Sequence, residues 1–200
     1  MLLTIVLTLA SFAAAFAIGL IVAACRVSPV PPLQRAAATY TQLARNTPLT
    51  ALMLLAFFGL PDIGLTFPRL PTAILALSVY TGAFMAEAIR SGINAVSKGQ
   101  AEAARALGLG FGQVLTIIVL PQALRTVVPP IGNLFIALTK NSAIAYVISV
   151  EELTGVGRVL GNQTAQPLAS YFGSALGYLL LLIPAGLAFG VLERRVAIKR

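Results

Sequence analysis

Six carboxylates, Asp62, Glu87, Glu102, Glu151, Glu152 and Glu193, are the only acidic side chains the sequence offers for proton transfer or ligand binding. There is no histidine, and Cys25 is the single cysteine. Ser-His and Cys-His nucleophilic pairs, histidine-ligated metals and the usual proton shuttle near neutral pH are therefore excluded. An intrachain disulfide and a multi-thiolate metal site are excluded as well. Three groupings of polar residues remain: Glu102 with Arg105, Glu87 with Arg90, and Lys140 with Asn141 and Ser142.

The elements that must position these groups are apolar. The chain is 58% hydrophobic and charged at only 10% of its 200 positions, against about a quarter in soluble domains. Too few polar residues exist to cover a soluble domain of this size, so the chain reads as an all-α protein that crosses a membrane several times. The formal charge of +8 does not gather with aromatics on one soluble face. It therefore points to membrane topology rather than nucleic acid.

Apolar segments at about 2–24, 43–60, 71–89, 113–140 and 171–193 are each long enough to span a bilayer or nearly so. The first of these ends in "VAAC", which resembles a lipoprotein cleavage site. No positive region precedes it, however, and it is longer than a signal core. It is expected to be a transmembrane helix. Ten of the fourteen Lys and Arg residues fall in three places: Arg26, Arg35 and Arg45; Arg90, Lys98 and Arg105; and Arg194, Arg195, Lys199 and Arg200. Positive-inside bias places these in the cytoplasm, with the N-terminus outside and the C-terminus inside. That orientation requires a single crossing in 113–150, with a kink or restart at Pro129-Pro130 and a non-spanning piece after Asn141. Glu151 and Glu152 then fall on a solvated outer face or a contact with an external protein, and Arg125 near the inner interface.

Between the third and fourth spans, residues 97–108 read as a short cytoplasmic helix. Ser97 and Gln100 fit a capping box, Ala101 to Leu107 favour helix, and Gly108 or Gly110 supplies the stop. Its surface is mostly methyl groups, and it lacks the large apolar anchors of a helix lying in headgroups. A docking surface for a cytoplasmic partner fits it better.

The spacing there is specific. Glu102-Ala103-Ala104, Gly108, Ile118 and Leu120-Pro121 resemble the EAA signature of permease subunits of ATP-driven, binding-protein-dependent importers. "RNTPL" at 45–49, "FFGLP" at 57–61, "AEAIRSGI" at 86–93, "KGQAEAARALGL" at 98–109 and "LTKNSAI" at 138–144 are similar to the polar amino-acid branch of that family. Ser97 stands where a proline is common, and a usual glutamine after "TPL" is missing.

The resemblance implies a type I importer permease fold of five transmembrane helices and one domain. Residues 97–108 become the coupling helix, with Glu102, Ala103, Ala104, Arg105, Gly108 and Pro121 as the residues of ATPase coupling. It implies a polar amino acid as cargo, an extracytoplasmic binding protein, a second permease subunit, identical or homologous, and two ATP-binding subunits in a bacterial cell membrane. The chain has no phosphate-binding loop of its own, so ATP and Mg belong to the partner and no cofactor or metal is expected here. A small multipass enzyme acting on lipid and a membrane scaffold without transport activity are the rival readings. The first would need clustered catalytic groups that the sequence lacks.

Residues along a path are read separately. Glu87 either pairs with Arg90, one turn on, or faces the path and attracts a substrate ammonium group. Lys140, Asn141 and Ser142 lie about 20 Å along an ideal helix from Pro121, deep in the membrane or near its outer leaflet. A helix break there would build a contact or gate, while Lys140 alone could snorkel outward. Tyr80 and Thr81 are read as lining the path, with packing the simpler role for an aromatic.

Overall fold

The computed structural model describes residues 1–196, apart from the side chains of Lys98, Phe111 and Leu115. Lys199 and Arg200, counted above as cytoplasmic charges, lie outside the described residues. In chain order the helices are α1 (Leu2–Val27), α2 (Pro31–Asn46), α3 (Leu49–Asp62), α4 (Arg69–Asn94), α5 (Lys98–Ala106), α6 (residues 111–141), α7 (Leu153–Thr164) and α8 (Pro167–Val196). A 3₁₀ stretch, Ser142–Ile148, continues α6 toward α7. No strand occurs among the described residues. Prolines at the first turns of α2 and α8 fit positions where no backbone N–H is needed.

Four helical segments are long and apolar enough to cross a membrane: α1, α4, Thr116–Ile148 and α8. A fifth span results if α2 and α3 are counted as one. The expected second span, 43–60, is not one straight helix. Leu43 to Asn46 belong to α2, and α3 leaves it at 106°. The cause is Thr47-Pro48, where Thr47 is extended at φ −95° and ψ 132° because the proline ring disfavours helix in the residue before it. At Pro129-Pro130 the opposite holds. There α6 runs through both prolines from Leu120 to Asn141, so that of the kink or restart expected, the restart does not occur. The chain does not break after Asn141 either. It tightens into the 3₁₀ stretch, and the Ser142 hydroxyl donates to the Thr139 carbonyl at 2.7 Å.

Helix α4 is the central element, packed by α1, α2, α3 and α6. It approaches α1 through glycines. A Cβ on Gly19 would lie 2.5 Å from Met85 Cγ, and one on Gly82 would lie 2.8 Å from Ile18 Cγ2. Ser78 Oγ donates to its own helix at Ile74 O (2.6 Å) and reaches Ser11 O on α1 at 3.4 Å. These contacts run in step along both chains, so α1 and α4 lie parallel. Helix α8 packs on α6 and α7 but leaves Leu168, Phe172, Leu180, Ile183 and Leu187 exposed. Such an apolar outer face is what lipid solvates.

At the end of the molecule that holds the start of α1, Glu151 is exposed but Glu152 is completely buried, against the solvated pair expected. Glu152 caps α7. Its carboxylate accepts from the Gly155 amide at 2.8 Å and from the Tyr178 hydroxyl. The next amide, Leu153, donates to Thr4 Oγ1 of α1 at 3.1 Å, and Ser174 Oγ of α8 donates to Leu153 O at 2.8 Å. One buried turn thus ties α7 to α1 and α8. Glu152→Ala should cost about 0.5–2 kcal/mol for the lost cap and leave the Tyr178 hydroxyl only Thr154 Oγ1, at 3.3 Å, as a partner. Glu151→Ala should stay within about 0.5 kcal/mol. Thermal unfolding of the purified protein in mild detergent compares the two: a clear drop is expected for the first and none for the second.

Candidate functional site

The short helix α5 projects between α4 and α6. Glu102, Ala103, Arg105, Ala106 and Leu107 are exposed, with Leu107 at 84%, while Ala104 is turned inward at 5%. Ala104 faces the start of α6, where Gln100, Ala103, Leu107, Leu109, Ile118 and Gln122 border one shallow cleft. Ser97 occupies the N-cap position, but its side chain makes no capping bond, so the expected capping box does not form. The stop signal does form. Gly108 is left-handed at φ +86°, and amides 107, 108 and 109 donate to the carbonyls of Ala103, Arg105 and Ala104. A Cβ at Gly108 would meet nothing within 4 Å. The glycine is therefore needed for its backbone conformation and not for space.

The next helix is started by a bond the sequence reading missed: the Gly110 amide donates to Gln113 Oε1 at 2.9 Å. Between Val114 and Val119 the backbone runs in wider π-type turns before regular α-helix begins at Leu120, with Pro121 in its first turn. Such turns mark departures from regular packing and recur at functional segments. Arg125 is exposed about one turn beyond Pro121.

Of the path candidates, the structure brings Tyr80, Thr81 and Asn141 together. They line a cavity of about 170 Å³ with Phe84, Leu134, Ala137 and Leu138, between α4 and α6. Phe84 joins this wall through its contact with Tyr80, at 5.0 Å between ring centroids, and the Arg45 guanidinium lies 5.3 Å from the Phe84 ring centroid. Phe84 was not among the residues singled out in the sequence, and Arg45 entered there only as a cytoplasmic charge and as part of "RNTPL". A cation over an aromatic face is a favourable contact, and the spacing of "RNTPL" alone gave no sign of it.

Lys140, Ser142 and Glu87 are not in this cavity. Lys140 is exposed, and Ser142 is fully buried on another side of the chain. Glu87 is engaged twice: Oε1 accepts from Arg26 Nη2 at 3.0 Å, and Oε2 accepts from Arg90 Nε and Nη2 at 3.0 and 2.8 Å. The expected pair with Arg90 is present, and Arg26 of α1 is an addition that sequence spacing could not supply. Both carboxylate oxygens of Glu87 thus already have a cationic partner. No cluster of metal-binding side chains occurs among the described residues.

The structure is thus a bundle of several apolar helices with a small exposed helix and a cavity between its central helices that holds three polar side chains. Residues 15–198 match the family described as "Binding-protein-dependent transport system inner membrane component". The chain belongs to that family and is a transport subunit of multi-pass membrane type. It is 39% identical to the "Probable glutamine ABC transporter permease protein GlnM" of Bacillus subtilis, over 96% of this chain and 89% of that protein. To the glutamate transport system permease protein GluC of Corynebacterium glutamicum it is 42% identical, over 98% and 92%. A solved amino acid ABC transporter crystallised with histidines superposes with a TM-score of 0.92 at 32% identity, covering 98% of this chain and 91% of that one. The fold is that of a type I importer permease, as the sequence resemblance implied.

The local role of Gly108 is open to direct measurement. Gly108→Val forces a branched residue into the left-handed region at a cost of about 1–3 kcal/mol. The amides of Leu107, Gly108 and Leu109 should then exchange hydrogen about tenfold faster or more. Gly108→Asn, which tolerates that conformation, should fall between the two.

Proposed function

We propose that the chain is the permease half of an importer that carries a polar amino acid across a bacterial cell membrane. An external binding protein delivers the cargo. A second permease subunit, the same or a homologue, completes the path, and two ATP-binding subunits hold the ATP and Mg. Helix α5 is the coupling helix in this reading. The observation that carries it is the form of α5: an exposed, alanine-faced, glycine-terminated helix that bears the EAA spacing and is joined to the central helix α4 by three residues.

Each group then has a task. Glu102, exposed on α5, bonds at the groove of the ATP-binding subunit, Arg105 pairs beside it, and Ala103 lets the two surfaces close to van der Waals contact. Ala104 seats the helix on α6, Gly108 fixes its end, and Pro121 starts the helix that carries motion inward. ATP closing the partner subunits displaces α5, and the permeases switch from inward-facing to outward-facing. Tyr80, Thr81 and Asn141 offer hydroxyl and amide groups to a zwitterionic cargo, in a cavity otherwise lined by apolar side chains. Lys140 and Ser142 flank Asn141 in sequence but lie outside the cavity, Lys140 exposed and Ser142 buried. The relatives' names cover glutamine and glutamate, and nothing in the cavity selects between them.

The test is purification from a membrane that also makes the adjacent transport proteins, followed by uptake of labelled amino acids into proteoliposomes. A stoichiometric ATPase and ATP-dependent uptake are expected. No ATPase under several mild detergents, or no uptake of any amino acid, defeats the reading. In the assembled complex Glu102→Ala should lower stimulated ATP hydrolysis and uptake about tenfold, the scale of one lost charge-assisted hydrogen bond, without loss of the permease itself.

A further inference from the structure

We propose that Arg26, Glu87 and Arg90 form a clamp that holds α1 and α4 as one lever, so that a displacement of α5 carries both helices. This rests on the reading of α5 as the coupling helix. The link from α5 to α4 is short and stiff: only residues 95–97 intervene, and the Ala95 and Val96 amides still donate to Ser91 and Ile93 carbonyls. Motion of α5 therefore reaches α4 through the backbone. It reaches α1 only through non-covalent contact.

Those contacts are graded along the pair. In the middle, Gly19 against Met85 and Gly82 against Ile18 interlock the backbones sterically, which resists crossing but not a slide or a splay at the ends. The end nearest α5 is held by charge. Glu87 gives one oxygen to each helix, Oε1 to Arg26 of α1 and Oε2 to Arg90 of α4. The side chains are 20–32% exposed, so screening by water is reduced though not absent, and the bonds are charge-assisted. Arg26 Nε is buried without a partner among the described residues. The guanidinium is thus held in place by its single contact with Glu87 and by packing, and releasing that contact frees α1. Glu87 is a positioning residue for coupling.

Arg26→Gln cuts only the link between helices, because Glu87 keeps Arg90. In a Cys25→Ala background, spin labels at Val27→Cys and Asn94→Cys report the α1–α4 spacing, and labels at Leu107→Cys report α5, all in the full complex in lipid nanodiscs. With Arg26 intact, the α5 labels should move between nucleotide-free and ATP-vanadate states while the α1–α4 distance holds to within about 2 Å, the size of ordinary helix shifts. With Arg26→Gln, that distance should change with nucleotide by more than this. Amino acid moved per ATP hydrolysed should fall about fivefold, the lower end of ordinary coupling free energies. Arg26→Lys should restore part of both. A merely structural role would lower yield and melting temperature and leave distance and ratio alone, and that result overturns the clamp. So does an α1–α4 distance that already changes with Arg26 in place. If the α5 labels do not move at all, the coupling reading itself fails and the clamp falls with it.

Discussion

The close approach of α1 to α4 is the contact on which the rest of the chain is built. In a bilayer, lipid tails are as apolar as leucine, so burying side chains between helices gains little over leaving them in lipid. What remains is dense packing and polar bonding, and both need the backbones near one another. Gly19 and Gly82 permit that nearness, and a methyl group at either would overlap Met85 or Ile18. The surface of α4 that results is small-sided, with Ala73, Ala76, Ala83 and Ala86 at most 1% exposed. Helices α2, α3 and α6 then pack on α4, and α8 closes on α6.

The same solvent governs the polar groups. A hydroxyl in a helix at membrane depth has no water to bond, and most here return to their own backbone: Thr72 to Pro68, Ser78 to Ile74 and Thr139 to Phe135. Buried carboxylates cannot do that. Glu152 is satisfied by an amide and a phenol at the end of a helix, and Glu87 by two arginines near the opposite end of the bundle. Thr81 and Asn141 are the polar side chains that face a cavity between the central helices, together with Tyr80. If this cavity is the path proposed above, these are the polar groups a cargo would meet in it.

Much of this was legible in the sequence because it depends on local pattern. Spans follow from apolar length, and the short cytoplasmic helix follows from propensity and a glycine stop. Where the reading missed, tertiary contact decided. Thr47-Pro48 and Pro129-Pro130 carry the same kind of signal, yet one turns the chain by 106° and the other does not interrupt it. The second pair lies in a segment flanked by α1, α4 and α8, and Gly132, two residues on, fits against Phe189 of α8. There the packing outweighs the hydrogen bonds the prolines forfeit. The first pair sits at a helix end, where a turn strands few backbone groups. Glu152 looked like its exposed neighbour Glu151 because burial is set by Thr4, Ser174 and Tyr178, far away in sequence. The Arg26–Glu87 contact spans 61 residues and was hidden for the same reason. The EAA spacing was readable as a family pattern, whereas the grouping of Tyr80 and Thr81 with Asn141 appeared only once α4 and α6 were side by side.

If α5 is the coupling helix proposed above, the chain must be stiff along the route from α5 to the cavity and compliant elsewhere. The structure distributes its bonds that way. From α5 the backbone leads through residues 95–97 into α4, which carries Glu87 and, about two turns further, Tyr80 and Thr81. On the other side, Ala104 rests on the first turns of α6, the helix that carries Asn141. Both walls of the cavity are thus connected to one short helix, one through a covalent joint and one through a packed face. The π-type turns at Val114–Val119 lie in the packed route. Such turns lack the regular hydrogen-bond spacing of α-helix and can take up a change of register. On the proposed coupling reading, a displacement of α5 would move α4 directly and α6 with some slack, shifting Tyr80 and Thr81 relative to Asn141. A cavity whose two walls move by different amounts can change its affinity for what it holds, and that differential is what a pump requires.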